Sequence, residues 1–531
     1  MGIPKQIKDR FDIPDSHLLQ KRLRKQREYH CVGHRLQENC VPDPRTPNEL
    51  RTSMQQKFQP ALTTAVNHAL EYLRTVDERP VGPTTSLETL RQRLCKVWNR
   101  DPIPAESVVN DLVRDVQGGL NNSVNARFYA WVIGGSLPSA LAADWLTSTW
   151  DQNAGLYSVS PASAVIEEAV GAWLKDMFRL PASCSFALVT GCQMAHTTCL
   201  AAARTWLLKG RGWDVEHQGM SGSPQIRLFC GTRHATIDRT VHLLGFGDQS
   251  ITKLPVNSVG ALDPTALEAA LRDIDGQPAI VLLQAGDVNT GGFDDFEALV
   301  PIARRYEAWT HVDGAFGMWA AASPRFEQLV RGMEHAHSWA TDGHKWLNVP
   351  YDCGYAFVAE PDAHRASMSY HASYLVQQDV ARDPLDWNPE FSRRARGFAS
   401  YAALRELGRT GVQELVERCC DCAAQLVAGL GELEGVQVLS SPIINQGLVT
   451  FLDPSGAISD EWNDNVIAEI AAEGTSFFSG TTTANGQRAM RISVSNWQTS
   501  HDNIIKTVAG IERLLANIRT RESIHSPLAN R

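Results

Sequence analysis

The sequence predicts an α/β protein in which a mainly parallel sheet is covered by helices on both faces, and two patterns carry that prediction. Between about residues 185 and 360, short apolar runs of strand length alternate with amphipathic helical stretches, the arrangement that buries a parallel sheet between helix layers. One helical stretch opens on Asp263-Pro264, a capping carboxylate followed by the residue best suited to the first helical position. With 531 residues there is chain enough for two domains and terminal additions.

Residues 1–50 form a charged, Pro-rich N-terminal extension whose basic run, Lys21 to Arg27, reads as a solvated helix face or mobile arm. Residues 51–120 are expected to be a helical arm, since Leu62, Val66, Leu70 and Leu73 recur at helical spacing. A large domain is expected over 121–395. Its strands are Phe186–Thr190, Ile226–Cys230, Ala279–Gln284 and Trp309–Asp313. A small C-terminal α/β domain over 396–520 holds candidate strands Leu448–Leu452 and Met490–Ser495, and 521–531 is a tail. In such sheets ligands gather beyond the carboxyl ends of the strands. The Thr190-Gly191 turn and Asp313 would share that edge.

Composition narrows the function. Hydrophobic residues make up 43% and charged residues 21%, as in ordinary globular chains. A formal charge of −9, from 50 Lys+Arg against 59 Asp+Glu, gives no electrostatic case for nucleic acid. Eleven scattered cysteines point to reduced thiols. Cys419-Cys420-Asp421-Cys422 lacks companion ligands at zinc-like intervals, so no metal site is expected. Met1 to Arg10 has no secretory apolar run, and Gln6 misses the myristoylation pattern. The charge-free stretch Phe128–Ala143 is broken by Gly134, Gly135, Ser136 and Pro138 and is too short to span a bilayer. A cytoplasmic protein with no membrane partner is therefore expected.

Four elements in chain order suit a phosphorylated aromatic aldehyde. Thr190-Gly191-Cys192-Gln193 opens a helix after a strand, where free N–H groups and the helix dipole favour a phosphate. Arg233-His234-Ala235-Thr236 brings an imidazole to the same edge, able to stack on a planar ring. His311-Val312-Asp313-Gly314-Ala315 ends an apolar strand in a carboxylate, which beside a pyridine nitrogen keeps that nitrogen protonated. Asp342-Gly343-His344-Lys345-Trp346 supplies an amine whose apolar surroundings should depress its pKa and let it condense with an aldehyde.

With these residues in place, the run from about Phe128 to Leu514 resembles the fold-type I pyridoxal-phosphate-dependent group II amino-acid decarboxylases, the aromatic-amino-acid, glutamate and histidine decarboxylases among them. The most specific matches are His311-Val312-Asp313 and the stretch from Asp342 through Pro350-Tyr351-Asp352-Cys353-Gly354. Ser160-Pro161-Ala162, Asn289 to Asp294 and Phe391-Ser392-Arg393-Arg394 support them. The resemblance implies Lys345 as the Schiff-base lysine, Asp313 as the pyridinium partner, and His234 and Ala315 on opposite ring faces. Cys192, Gln193 and His344 would hold the phosphate, with Gly191 and Asp342 completing the cofactor site. Trp131, Val132 and Ile133 would line the substrate pocket with an apolar wall, which favours an aromatic or bulky apolar amino acid. Arg491 stands where glutamate decarboxylases bind a substrate carboxylate. The resemblance also implies a homodimer with a mobile loop at about 370–390.

The chain departs from the pattern at three points. The phosphate turn Gly191-Cys192-Gln193-Met194-Ala195-His196 lacks the usual second glycine and hydroxyl. Val288 replaces a threonine of the aromatic members. Counting back three positions from Trp387 puts Pro384 where a loop tyrosine normally delivers a proton, leaving Tyr370, His371 and Tyr374 as nearby donors. Decarboxylation to an amine is the expected reaction, with an oxidative aldehyde synthase, or an aminotransferase or aldolase on the same fold, as the alternative.

Overall fold

The computed structural model describes residues 47–370 and 381–525. The basic run at 21–27 and the candidate donors His371 and Tyr374 lie outside the described residues. One compact unit reaches to Val66 and includes Ile103–Val109; the other holds Asn67–Pro102 and Asn110 onward. The expected arm contains helices Pro47–Arg74, Leu87–Leu94 and Ala105–Asp115. Along the first of these, Leu62, Val66, Leu70 and Leu73 are all exposed.

The larger unit is organised by a seven-stranded sheet of β1 (Ser185–Val189), β2 (Arg227–Cys230), β3 (Ile251–Lys253), β4 (Ala279–Gln284), β5 (Trp309–Asp313), β6 (Ser338–Asp342) and β7 (Gly354–Val358). Their spatial order is β1-β7-β6-β5-β4-β2-β3. The β2, β3, β4, β5 and β6 pairings are parallel, while β7 is antiparallel to both its neighbours. Every strand except β7 therefore points the same way. Alternate residues serve two cores, as a pleat of period two requires. Leu188, Val281, Leu283 and Phe357 pack on one face. Val189, Ile280, Leu282 and Val358 pack on the other, against helix Cys192–Lys209.

The four strands expected in this region exist, and Asp263 caps helix Pro264–Asp273 by accepting the Thr265 N–H at 2.8 Å. Strands β3, β6 and β7 were not anticipated. In β6 the apolar run is interrupted by Ser338, Thr341 and Asp342, all buried. Local pattern could not mark it as a core strand, because the partners that satisfy those polar groups come from distant segments.

A second, antiparallel sheet has the order β10-β11-β9-β8 and comprises β8 (Val436–Ser440), β9 (Gln446–Phe451), β10 (Ser479–Thr482) and β11 (Arg488–Ser493). The expected strands in this part are β9 and β11, each beginning two residues earlier than predicted. Helices Gly397–Gly431, Asp460–Glu473 and His501–His525 accompany this sheet, the first kinked at Gly408. No helix among the described residues is long and apolar enough to cross a membrane.

Candidate active site

Because β1, β4, β5 and β6 run in one direction, their carboxyl ends meet at one sheet edge, and a cavity of about 440 Å³ opens there. Gly191, Cys192, Gln193, His234, Asp313, Ala315, Asp342, His344, Lys345, Trp131, Val132 and Arg491 all line it. Ile133 does not. It packs toward Val81, Phe128 and Ala130 instead, because the chain adopts positive φ at both Trp131 (54°) and Val132 (60°) and so turns the next side chain away. Left-handed backbone at an aromatic and a β-branched residue is costly, and such strain concentrates at functional sites. Gly134 lets this segment pass over Lys345, whose carbonyl oxygen a Cβ at 134 would strike.

One end of the cavity is built around Asp342, the last residue of β6. Its Oδ1 accepts the Cys192 N–H at the start of helix Cys192–Lys209 at 2.6 Å and lies 3.4 Å from His344 Nε2; its Oδ2 lies 3.0 Å from Lys345 Nζ. The β1–β7 pairing sets Gly354 against the Gly191 turn so closely that a Cβ on Gly354 would overlap the Gly191 backbone. His344 is fixed by accepting the Cys353 N–H on Nδ1 at 3.2 Å and by stacking on Tyr351 at 4.2 Å. The Gln193 side chain donates to Thr240 Oγ1 at 2.9 Å. Burial pushes the Cys192 thiol well above its ordinary range, with Asp342 and Asp313 adding to the effect. It is a neutral thiol here.

The structure corrects the electrostatic expectation for Lys345. Burial, the largest single cause, pulls the amine down, but the carboxylates of Asp342 and Asp313 together outweigh it and the pKa is raised. A sequence window shows the apolar neighbours of a lysine and not the carboxylate that folding sets against it. In this state Lys345 is an ammonium group paired with Asp342.

At the other end, Asp313 closes β5. Its Oδ1 accepts the Ala315 N–H at 3.2 Å, and its Oδ2 stands 3.5 Å from His196 Nε2. His234 caps helix Ala235–Leu243 by accepting the Thr236 N–H on Nδ1. That bond leaves Nε2 as the donor of the neutral ring. Desolvation lowers the His234 pKa, with Asp313 opposing.

Arg491 on β11 is 9% exposed, and its Nε has no hydrogen-bond partner among the described residues. Burial lowers its pKa, with Asp287 opposing. Sequence reasoning passed over Gln284, Asp287, Phe316 and Tyr351, which also line the cavity. Gln284 ends a predicted strand and Tyr351 sits inside the matched motif, so both were within reach of the strand-end rule and the motif. Val288 lines the cavity as well. Pro384 and Trp387 do not: Pro384 opens a buried turn, and the Trp387 ring packs edge-on to His364 at 5.3 Å. The position reached by counting back from Trp387 is therefore in a packed anchor. Tyr370 is 73% exposed and does not line the cavity.

The donor set fits pyridoxal phosphate. A helix N-terminus, His344 and a part-buried ammonium group at one end suit a phosphate and an aldehyde carbon. The Asp313 carboxylate at the other end suits a protonated ring nitrogen, and His234 and Ala315 lie in the lining.

Residues 88–452 match the model of the pyridoxal-dependent decarboxylase conserved domain. The chain is 27% identical to an L-tyrosine/L-DOPA decarboxylase of Lophophora williamsii over 70% of its own length and 73% of that protein's. It is also 27% identical to the 4-hydroxyphenylacetaldehyde synthase of Rhodiola rosea, over 71% of its own length and 78% of the relative's. Its fold is similar to the crystal structure of Oryza sativa TDC with PLP and tryptamine, with a TM-score of 0.81 at 21% identity, covering 90% of this chain and 99% of that one. The match covers well over half of the chain, so this protein belongs to the pyridoxal-dependent decarboxylase family and is an amino-acid decarboxylase whose cofactor is pyridoxal phosphate.

Proposed function

We propose that this enzyme releases carbon dioxide from an aromatic or bulky apolar L-amino acid to give the amine, as a cytoplasmic homodimer. The observation that carries this reading is the convergence of Lys345, Asp313 and the Trp131-Val132 wall on one cavity. Bound pyridoxal phosphate supplies an electron sink for the charge left when carbon dioxide departs. Lys345 would hold it covalently, and Gly191, Cys192, Gln193 and His344 would hold its phosphate. Before Lys345 can bond to carbon it must lose a proton, and the Asp342 Oδ2 oxygen at 3.0 Å is placed to accept one. Asp313 would keep the ring nitrogen charged, its plane set by the Ala315 N–H. His234, with Nε2–H free, would cover one ring face, and Ala315 the other.

A second reading has its own observation. Arg491 presents a buried guanidinium to the cavity with one N–H unspent. Such a group would pair with an acidic side chain of the substrate. Pairing with the carboxylate that is lost would instead stabilise the ground state and slow the reaction. Carbon dioxide release assayed over a panel of amino acids separates the two. Higher kcat/KM for tyrosine, tryptophan or phenylalanine, unchanged within about threefold in Arg491→Met, is the expected result. Preference for glutamate or aspartate that Arg491→Met abolishes would install the second reading. The same reactions, run with and without oxygen, should give amine equal to the carbon dioxide released and no oxygen uptake; aldehyde, ammonia and peroxide in that ratio would make the enzyme an oxidative aldehyde synthase.

The apolar stripe Leu62, Val66, Leu70 and Leu73, exposed along one helix, supports a homodimer.

A further inference from the structure

Behind Asp313 lies a line of buried polar groups that the reaction as described does not use. Residues at alternate positions of a strand share a face, so Trp309, His311 and Asp313 stack along one side of β5. The parallel register sets Ser338 of β6 beside His311, and helix Cys192–Lys209 adds His196. Trp309 Nε1 is 2.9 Å from Ser338 Oγ, Ser338 Oγ is 2.9 Å from His311 Nδ1, and His311 Nε2 is 2.9 Å from His196 Nδ1. Among the described residues His196 Nε2 makes no hydrogen bond, and it faces Asp313 Oδ2 across 3.5 Å. All five side chains are essentially buried.

The chemistry of the groups gives this line one direction. Burial is the main cause that lowers both imidazoles to about 3, so each is neutral and has one donor and one acceptor nitrogen. A carboxylate only accepts, so His196 must present Nε2–H to Asp313, and its bare Nδ1 must accept from His311. His311 then carries its proton on Nε2 and must accept on Nδ1, where the Ser338 hydroxyl is its partner among the described residues and donates. Ser338 in turn accepts from the Trp309 indole, which can only donate. The assignment from the carboxylate end and that from the indole end agree, with no donor facing a donor.

We infer that Trp309, Ser338, His311 and His196 form a one-way hydrogen-bond relay that sets the orientation of the Asp313 carboxylate, making His196 and His311 positioning residues for the decarboxylation. The Ala315 N–H holds one carboxylate oxygen, and His196 Nε2 faces the other across 3.5 Å. Each oxygen keeps a second lone pair for the ring nitrogen. This inference rests on the reading of Asp313 as the partner of that nitrogen.

Two measurements test it. In holoenzyme labelled with 15N-histidine, His196 and His311 should both carry the proton on Nε2; a proton on Nδ1 of either ring overturns the relay. His196→Leu should lower kcat by about tenfold or more, while substrate KM stays within about twofold and His196→Gln, which returns an N–H at the Nε2 position, recovers most of the loss. Equal kcat in His196→Leu, or no recovery in His196→Gln, refutes a positioning role. Should the leucine variant not fold, the tautomers and the glutamine variant decide the question, and a glutamine variant as slow as about a tenth of the parent enzyme counts against it. If the tautomers are as stated but Asp313→Asn turns over normally, it is the reading of Asp313 that fails and the relay's geometry that stands.

Discussion

In the proposed reaction Lys345 and Asp313 do different work, and their substitutions should fail differently. Lys345→Ala removes the only amine that lines the cavity among the described residues, so turnover and the borohydride-trapped cofactor adduct should both vanish. An adduct persisting at wild-type yield would show that another group makes the bond. Asp313→Asn keeps the shape and the Ala315 contact but removes the charge. Because charge builds on the ring only as carbon dioxide leaves, the loss should appear in kcat, by about 10²–10³, with the denaturation midpoint little changed. Equal losses of rate and stability would mark Asp313 as a structural carboxylate. Asp342 was named from sequence as part of the cofactor site, and its pairing with Lys345 shows why a motif is read more safely than a pKa. The motif places the residues along the chain, whereas the pKa depends on whichever charge folding brings within a few ångströms.

Element by element, the matched segment Phe391-Ser392-Arg393-Arg394 has a structural use. Arg393, wholly buried, donates to Glu167 Oε1 at 2.5 Å and to the Ala154 carbonyl at 2.9 Å, and it also reaches the Leu188 carbonyl on β1. It thereby ties helix Pro161–Met177 and the segment before helix Gly397–Gly431 to the strand that leads into the Gly191 turn. Arg393→Met would leave Glu167 buried with Arg382, at 3.9 Å, as its remaining ion-pair partner among the described residues. Stripping one partner from a buried ion pair costs about 3–5 kcal/mol. Denaturant unfolding should register that loss, and a change below about 1 kcal/mol would show that the pair is dispensable. The strands were legible to the extent that burial shows as apolar runs, as in β4; β6, whose core positions are polar, was not.

Across the whole molecule, neutral buried histidines set the acid limit of stability. Burial is the first cause that lowers His196, His311 and His364 to about 3 and His337 to about 4, against an ordinary value of 6.5. The unfolded chain takes up protons at these sites below about pH 6.5 while the folded chain refuses them until about pH 3–4, so stability must fall as pH drops through that window. Denaturation midpoints measured from pH 7.5 downward, in steps of about half a unit, should decline steadily; a flat profile would mean these rings take up protons in the fold. At the same scale, the proposed homodimer and the exposed stripe on helix Pro47–Arg74 lead us to expect twice the chain mass for the parent in light scattering and the chain mass for Leu62→Glu with Leu70→Glu; a parent already at the chain mass would refute the dimer. The sequence alone determined the sheet class, the family and the order Gly191, His234, Asp313, Lys345, because strand-length apolar runs and a contiguous lysine motif are local properties. Only the tertiary structure decided that Ile133 leaves the pocket, that Asp342 keeps Lys345 charged, and that Trp309, Ser338, His311 and His196 line up behind Asp313. Those outcomes depend on backbone turns, on distances between segments far apart in the chain and on the register of neighbouring strands, and burial turns such distances into charge states.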